Sequence, residues 1–227
     1  MAGIYLHIPF CVKKCDYCDF TSFANAGALD DYVEALLREI ELTARTGEYP
    51  ASFDTVFFGG GTPSLISGEQ MQRIMDALRA SFPIQEHAEC SMECNPGTAS
   101  KEHLAAYHAA GINRLSIGLQ STHDALLKSI GRIHTYSQFL DTLGWARDAG
   151  FNNINADVMH GLPDQSMEQY LDTLKTVCDL ELQHISSYAL ILEEHTPIYA
   201  RVAAGTTKLP DDDAVGDMQD AGIDYLE

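Results

Sequence analysis

The sequence is poor in positive charge. Its 227 residues carry 14 Lys plus Arg against 33 Asp plus Glu, a formal net charge of −19 with His neutral. Such a chain repels phosphate backbones and anionic bilayers, which argues against broad nucleic-acid contact and membrane docking. No apolar run approaches the roughly 18 residues that a membrane span needs, and no basic-then-apolar leader opens the chain. Cysteine is scarce at 6 residues, too few for a disulfide scaffold. Low-complexity segments, fixed repeats and linkers rich in Pro, Gly or Ser are all missing. What remains is a soluble, cytoplasmic chain of one domain, with a hydrophobic content of 45% that can bury a sizeable core.

Short apolar runs alternate with longer segments of helical period. Residues 3–8, 54–58, 88–94, 113–119, 153–158 and 184–190 read as strands. Leu29, Tyr32, Val33, Leu36, Leu37 and Ile40 fall on one helical face, as do Met71, Ile74, Met75, Leu78 and Phe82. Met167, Tyr170, Leu171, Leu174 and Cys178 make a third stripe. Ser67 with Gln70 and Ser166 with Gln169 have capping-box spacing, Ser100 and Ser137 are candidate N-caps, and Gly111 and Gly150 read as helix stops. Six strand–helix units imply right-handed crossovers and a parallel sheet. Eight units would close a barrel, so six suggest an α/β fold of the partial, open (β/α) barrel type. Alternation alone leaves a doubly wound sheet open as well. In both, the site lies at the carboxyl ends of the strands.

Cysteine placement says more than cysteine number. Cys11, Cys15 and Cys18 form C-x3-C-x2-C in a loop directly after the first strand. Thiolates are soft ligands suited to zinc and iron–sulfur clusters. Structural zinc wants four protein ligands, and no matching second pair follows. Three thiolates instead suit a 4Fe–4S cluster with one iron left open; three incidental loop cysteines are the bland alternative. Phe57-Phe58-Gly59-Gly60-Gly61-Thr62 follows the second strand, where glycines let backbone approach a ligand or simply make a tight turn. Polar residues gather at later strand ends: Glu93, Gln120 and Asp157, with Arg132 in G-R-I-H after a short helix. Any one of them could cap a helix; four across successive units point to a site.

These residues resemble the radical S-adenosylmethionine (SAM) proteins, and within them the oxygen-independent coproporphyrinogen III oxidase family. The matching pieces are YLHIPFCVKKCDYCDF, FFGGGTPSLIS, MECNPGT, INRLSIGLQS, GRIH, NADVMHGLPDQS and ISSYALILEEHTP, which span nearly the whole chain. The resemblance implies a six-unit partial barrel, a 4Fe–4S cluster on Cys11, Cys15 and Cys18, and SAM chelating the open iron. It further implies electron transfer into the sulfonium carbon–sulfur bond to give a 5′-deoxyadenosyl radical. By the same resemblance, Tyr5 and Tyr17 flank SAM and the cluster, and the Gly60–Gly61–Thr62 backbone meets the methionine end. Glu93, Gln120, Arg132 and Asp157 then supply polar SAM contacts, with Arg132 suited to a carboxylate and Asp157 to ribose hydroxyls.

Two branches of that family differ beside the cluster. The oxidase branch has another cysteine two residues after the third ligand, where this chain has Phe20. The C-D-Y-C-D-F run is similar to the heme chaperone branch, which binds heme and passes it to acceptor proteins, although that branch usually has Pro at the place of Asp16. The branch's C-terminal region with its H-N-x-x-Y-W motif is absent, so residues 1–227 read as the core barrel alone. Lys13 and Lys14 form a basic spot that could orient an acidic, flavodoxin-like electron donor, or be a solvated pair. Cys90, Cys94 and Cys178 read as buried core thiols, and His134, His160 and Trp145 as structural residues. A cluster-bearing electron-transfer or sensing module without SAM chemistry would need a fourth ligand and no glycine cradle, so the sequence argues against it.

Overall fold

The computed structural model describes residues 2–227. Six strands, β1 (Gly3–Ile8), β2 (Phe53–Gly60), β3 (Ile84–Cys94), β4 (Arg114–Gln120), β5 (Ile154–His160) and β6 (His184–Ala189), form one sheet in the order β1-β2-β3-β4-β5-β6. Every neighbouring pair is parallel. Parallel neighbours need crossovers. These are α1 (Leu29–Thr46), α2 (Gly68–Ser81), α3 (Lys101–Ala110), the pair α4 (Asp124–Ser129) and α5 (Tyr136–Asp148), and α6 (Met167–Cys178). Two further helices, α7 (Pro197–Ala203) and α8 (Asp212–Leu226), follow β6.

Strand order decides between the two architectures. A doubly wound sheet reverses direction partway, whereas here each strand is laid beside the last. Right-handed crossovers in one direction put the helices on one face, and the sheet curves around the other. Since β1 and β6 do not pair, the barrel is open.

Alternating side chains then face two environments. Leu6, Ile8, Val56, Phe58, Met92, Ile117 and Val158 point to the helices and are at most 3% exposed. The helices meet them with the predicted stripes: α1 buries Leu29, Val33, Leu36 and Ile40, and α2 buries Met71, Ile74, Met75 and Leu78. Both predicted capping boxes form. A third lies at Thr135 and Gln138, so Ser137 is not an N-cap but sits in the first turn of α5. Thr135 has the extended backbone and the glutamine three residues on that a box requires.

Other expectations need correction. Strand β3 begins at Ile84 rather than 88, pairing first with Phe53 before the register shifts; its opening I-Q-E-H has no alternation to reveal it. Cys178 is exposed at the last position of α6, while Cys90 and Cys94 are buried as expected.

Candidate active site at the carboxyl ends of the strands

The cysteine loop leaves β1 and is tied down at its base. Cys11 N–H donates to the Phe23 carbonyl at 3.0 Å, and Phe23 N–H to the Pro9 carbonyl at 2.7 Å. Inside the loop, Cys18 N–H donates to the Cys15 carbonyl at 3.1 Å, and Lys14 Nζ to the Phe20 carbonyl at 2.9 Å. Lys14 therefore serves the loop itself. From outside, Asp16 N–H bonds the Ile130 carbonyl, the Asp16 carbonyl accepts from Ile198 at the start of α7, and its carboxylate lies 3.3 Å from Arg201. Tyr17 packs with Leu126, Ile130, Met159, Leu162 and Ile198, and burial pushes its phenol up. Three elements thus hold a loop that has no regular structure of its own.

All three cysteines are free thiols; Cys11 is buried, and Cys15 and Cys18 are half-buried. They line an open cleft at the strand ends, where small-molecule sites of open α/β sheets and barrels lie. The same cleft collects Tyr17, Gly60, Gly61, Glu93, Gln120, Arg132 and Asp157. Thr62 stands one step back, donating to Cys11 Sγ at 3.5 Å. Tyr5 lies apart from the lining: it is 58% exposed, stacked on Phe57, with its hydroxyl 3.1 Å from His7 Nδ1. Since His7 Nε2 lies 2.8 Å from the Thr21 carbonyl it is the donor there, and Nδ1 accepts from Tyr5.

Each strand end is shaped differently. Gly60 has φ +116°, and its N–H donates to Glu93 Oε2 at 3.1 Å. At Gly61 a Cβ would sit 2.7 Å from the Phe10 carbonyl oxygen, so only glycine lets β2 close on the cysteine loop. The glycines are thus required by the backbone itself. Gln120 has φ +69°, an uncommon conformation for a residue with a side chain, next to a bulge that re-aims the end of β4.

A polar chain connects the cysteine loop to the strands. Thr62 Oγ1 accepts from Asn95 Nδ2 at 3.0 Å, and Asn95 Oδ1 accepts from Arg132 Nη2 at 2.8 Å. Arg132 also donates to the Gly118 carbonyl and, at 3.6 Å, to Cys15 Sγ. Its Nε is buried without a partner among the described residues. Asn95 was not singled out from sequence; the only signal was its place directly after Glu93-Cys94 at a strand end. Asp157 accepts from Ser116 Oγ at 3.1 Å and from Asn155 Nδ2 at 2.8 Å. Burial raises Asp157, against the pull of those bonds and of Arg132 and Arg114. Glu93 is pushed up to about 7 by burial, with the Asp157 charge adding and the Gly60 N–H opposing. Two carboxyls whose affinity for protons is raised by burial thus face the cleft. His134 is buried, bonded to the Leu119 carbonyl and held neutral at about 4 by burial and Arg132.

Comparisons with known proteins agree with this geometry. The family model described as Radical SAM superfamily matches residues 5–177. Heme chaperone HemW of Escherichia coli strain K12 is 42% identical over 226 residues, covering 99% of this chain and 58% of the relative. A mouse protein, radical S-adenosyl methionine domain-containing protein 1, mitochondrial, is 38% identical over 228 residues, covering 99% and 51%. Among solved structures, the coproporphyrinogen III oxidase HemN of Escherichia coli superposes with a TM-score of 0.85 at 30% identity, covering 99% of this chain and 52% of that one. The chain spans between half and three-fifths of the length of these relatives. With a family match over most of its length, a sequential parallel six-stranded partial barrel and three thiols at the strand ends, the chain belongs to the radical SAM superfamily.

Proposed function

We propose that the chain is the radical SAM core of a heme chaperone, which binds heme and hands it to an acceptor protein. Membership in the superfamily implies a 4Fe–4S cluster and SAM. The donors present fit both. Three free thiols border one cleft, Thr62 and Arg132 already donate toward two of the sulfurs, and Arg132 Nε is a buried donor without a partner. Among the described residues no three metal-binding side chains converge on a point, as a single ion would require. A cluster asks less, because each thiolate binds a different iron.

Cys11, Cys15 and Cys18 would hold the cluster, which supplies an electron to SAM. This chain's own residues orient and screen. Arg132, fixed by Asn95 and the Gly118 carbonyl, presents its remaining N–H to a carboxylate. When ionised, Glu93 and Asp157 would bring negative charge to the cleft for a sulfonium cation such as SAM, and Asp157 would accept from ribose hydroxyls. Gln120 and the Gly60–Gly61 backbone complete the walls, and Tyr17 closes the loop over the cleft.

The observation carrying the chaperone assignment is Phe20. It lines the cleft beside the three cysteines, 66% exposed, where the oxidase branch has a further cysteine. Charge agrees with it. Lys13 and Arg132 are the cleft's lysine and arginine, and Arg132 Nη2 is already bonded to Asn95 and the Gly118 carbonyl, which leaves little to anchor a substrate with four carboxylates. An acidic, flavodoxin-like electron donor would meet Lys13 at the cleft mouth. With SAM and reductant under anaerobic conditions, the reconstituted chain is expected to form no protoporphyrinogen IX from coproporphyrinogen III. Product fluorescence that depends on SAM and vanishes in Cys11→Ala would replace the chaperone with the oxidase.

A further inference from the structure

Two of the three cysteine sulfurs receive hydrogen bonds from side chains outside their own loop. Thr62, directly after the glycine run, donates its hydroxyl to Cys11 Sγ at 3.5 Å, and Arg132 donates Nη1 to Cys15 Sγ at 3.6 Å. The two donors stand on different connections, one after β2 and the other after α4. One residue joins them: Asn95 bonds Thr62 on one side, at 3.0 Å, and Arg132 on the other, at 2.8 Å.

The protons along this chain have a single order. A guanidinium only donates, so the Asn95 oxygen faces Arg132 and the amide nitrogen faces Thr62. That nitrogen in turn only donates, so the Thr62 oxygen accepts. The hydroxyl's one proton is then left for Cys11 Sγ. Asparagine offers an acceptor on one side and a donor on the other; an ionised aspartate would accept from both neighbours and draw the Thr62 proton to itself. The backbone of Asn95 is clamped as well. Its N–H donates to Ser64 Oγ at 3.2 Å, and its carbonyl accepts from the Thr98 hydroxyl at 2.6 Å. Since the Thr98 proton is committed there, Ser64 donates to Thr98 Oγ1 at 2.6 Å. Thr62 and Cys11 are both buried, which shields their bond from water.

We propose that Asn95 is a positioning residue that sets the reduction potential of the cluster on Cys11, Cys15 and Cys18, by fixing the direction of the hydrogen bonds from Thr62 and Arg132 to its sulfurs. The inference rests on the assignment of the cluster to these three thiols. Hydrogen bonds to cluster sulfurs draw electron density away and favour the reduced form, so they raise the potential. In a chain of net charge −19, donors aimed at the sulfurs offset the repulsion that an arriving electron meets. Asn95 supplies no proton to either sulfur itself and acts through its two neighbours.

Redox potentiometry of the anaerobically reconstituted cluster, with dithionite as reductant and electron paramagnetic resonance as readout, tests this. Four proteins are compared: unchanged, Asn95→Asp, Thr62→Val and the double variant. Each single substitution is expected to lower the ratio of reduced to oxidised cluster about tenfold at a fixed potential, a negative shift of about 59 mV for one electron. Because Asn95→Asp acts in part through the Thr62 hydroxyl, the double variant is expected to shift by less than the two single shifts added together. Thr62→Ser, which keeps the hydroxyl, is expected to hold the potential of the unchanged chain. An unchanged potential in cluster-loaded Asn95→Asp, or strictly additive shifts, would overturn the proposal and leave the cluster assignment standing. Should Asn95→Asp take up no cluster, Asn95→Ala is measured in its place with the same expectation, and failure of both to load would make Asn95 a structural residue instead. If the unchanged chain takes up no cluster, the assignment and the proposal fail together.

Discussion

The two faces of the sheet solve different problems with the same strands. The helix-covered face is continuous hydrocarbon: Val56, Phe58, Met92, Ile117 and Val158 are completely buried against α1, α2 and their neighbours. The concave face is a hydrogen-bonded polar layer. Ser116, Asn155, Asp157 and Ser186 bond to one another across three strands, and Arg114 reaches Ser91 and His184. In a closed barrel the inner face is packed with side chains as a second core. Here it carries a polar layer beside an open cleft, and the apolar core lies on the outside. One face specifies the fold, and the other places charge at the strand ends.

That division predicts how substitutions should sort. The largest stability loss is expected outside: Phe58→Ala should cost about 3–5 kcal/mol in urea denaturation, as buried aromatic truncations do. A cost below about 1 kcal/mol would mean that the helical layer is not the core.

The concave face should respond to pH instead. Folded Glu93 holds its proton up to about pH 7, while in the unfolded chain it is lost near 4.5. Between those values the folded state binds more protons, so stability falls as pH rises through that window and is level beyond it. Glu93→Gln should flatten this slope and stabilise the ligand-free chain above pH 7 by on the order of 2–3 kcal/mol. Parallel stability–pH curves for the two proteins would refute it.

Asp157→Ala should leave the fold nearly untouched but weaken SAM binding about tenfold, the loss expected for one charge-assisted contact. Calorimetric titration giving unchanged affinity would remove Asp157 from the site. The smallest effect belongs to the outer surface, where Cys178→Ser should shift stability by no more than about 0.5 kcal/mol because the thiol is exposed.

The helix-covered face was legible because it obeys periodicity. The stripes of α1 and α2 and the Ser67 and Ser166 boxes stand in the sequence as they stand in the fold. Periodicity has nothing to say about the first residues of β3, which are polar and exposed, or about Cys178, whose helical spacing matched the stripe but whose position at the end of α6 lies past the packed layer. Residue type and strand-end position singled out Glu93, Gln120, Arg132 and Asp157, which line one cleft. They did not find Asn95, which works only by bridging Thr62 and Arg132 across three separate connections. Nor does Gly61 in the glycine run announce its purpose; the carbonyl it must clear belongs to Phe10, 51 positions away. Linear spacing reveals ligand sets that share a loop, and misses those assembled by the sheet.

The central claim is that Cys11, Cys15 and Cys18 hold a cluster with an iron open to SAM at the concave face. Electron paramagnetic resonance of the anaerobically reconstituted, reduced chain, recorded with and without SAM, tests it most directly. A signal that changes when SAM is added, and that Cys15→Ala abolishes while circular dichroism shows the barrel intact, is the predicted result. A cluster signal that ignores SAM, or that persists in Cys15→Ala, would contradict it.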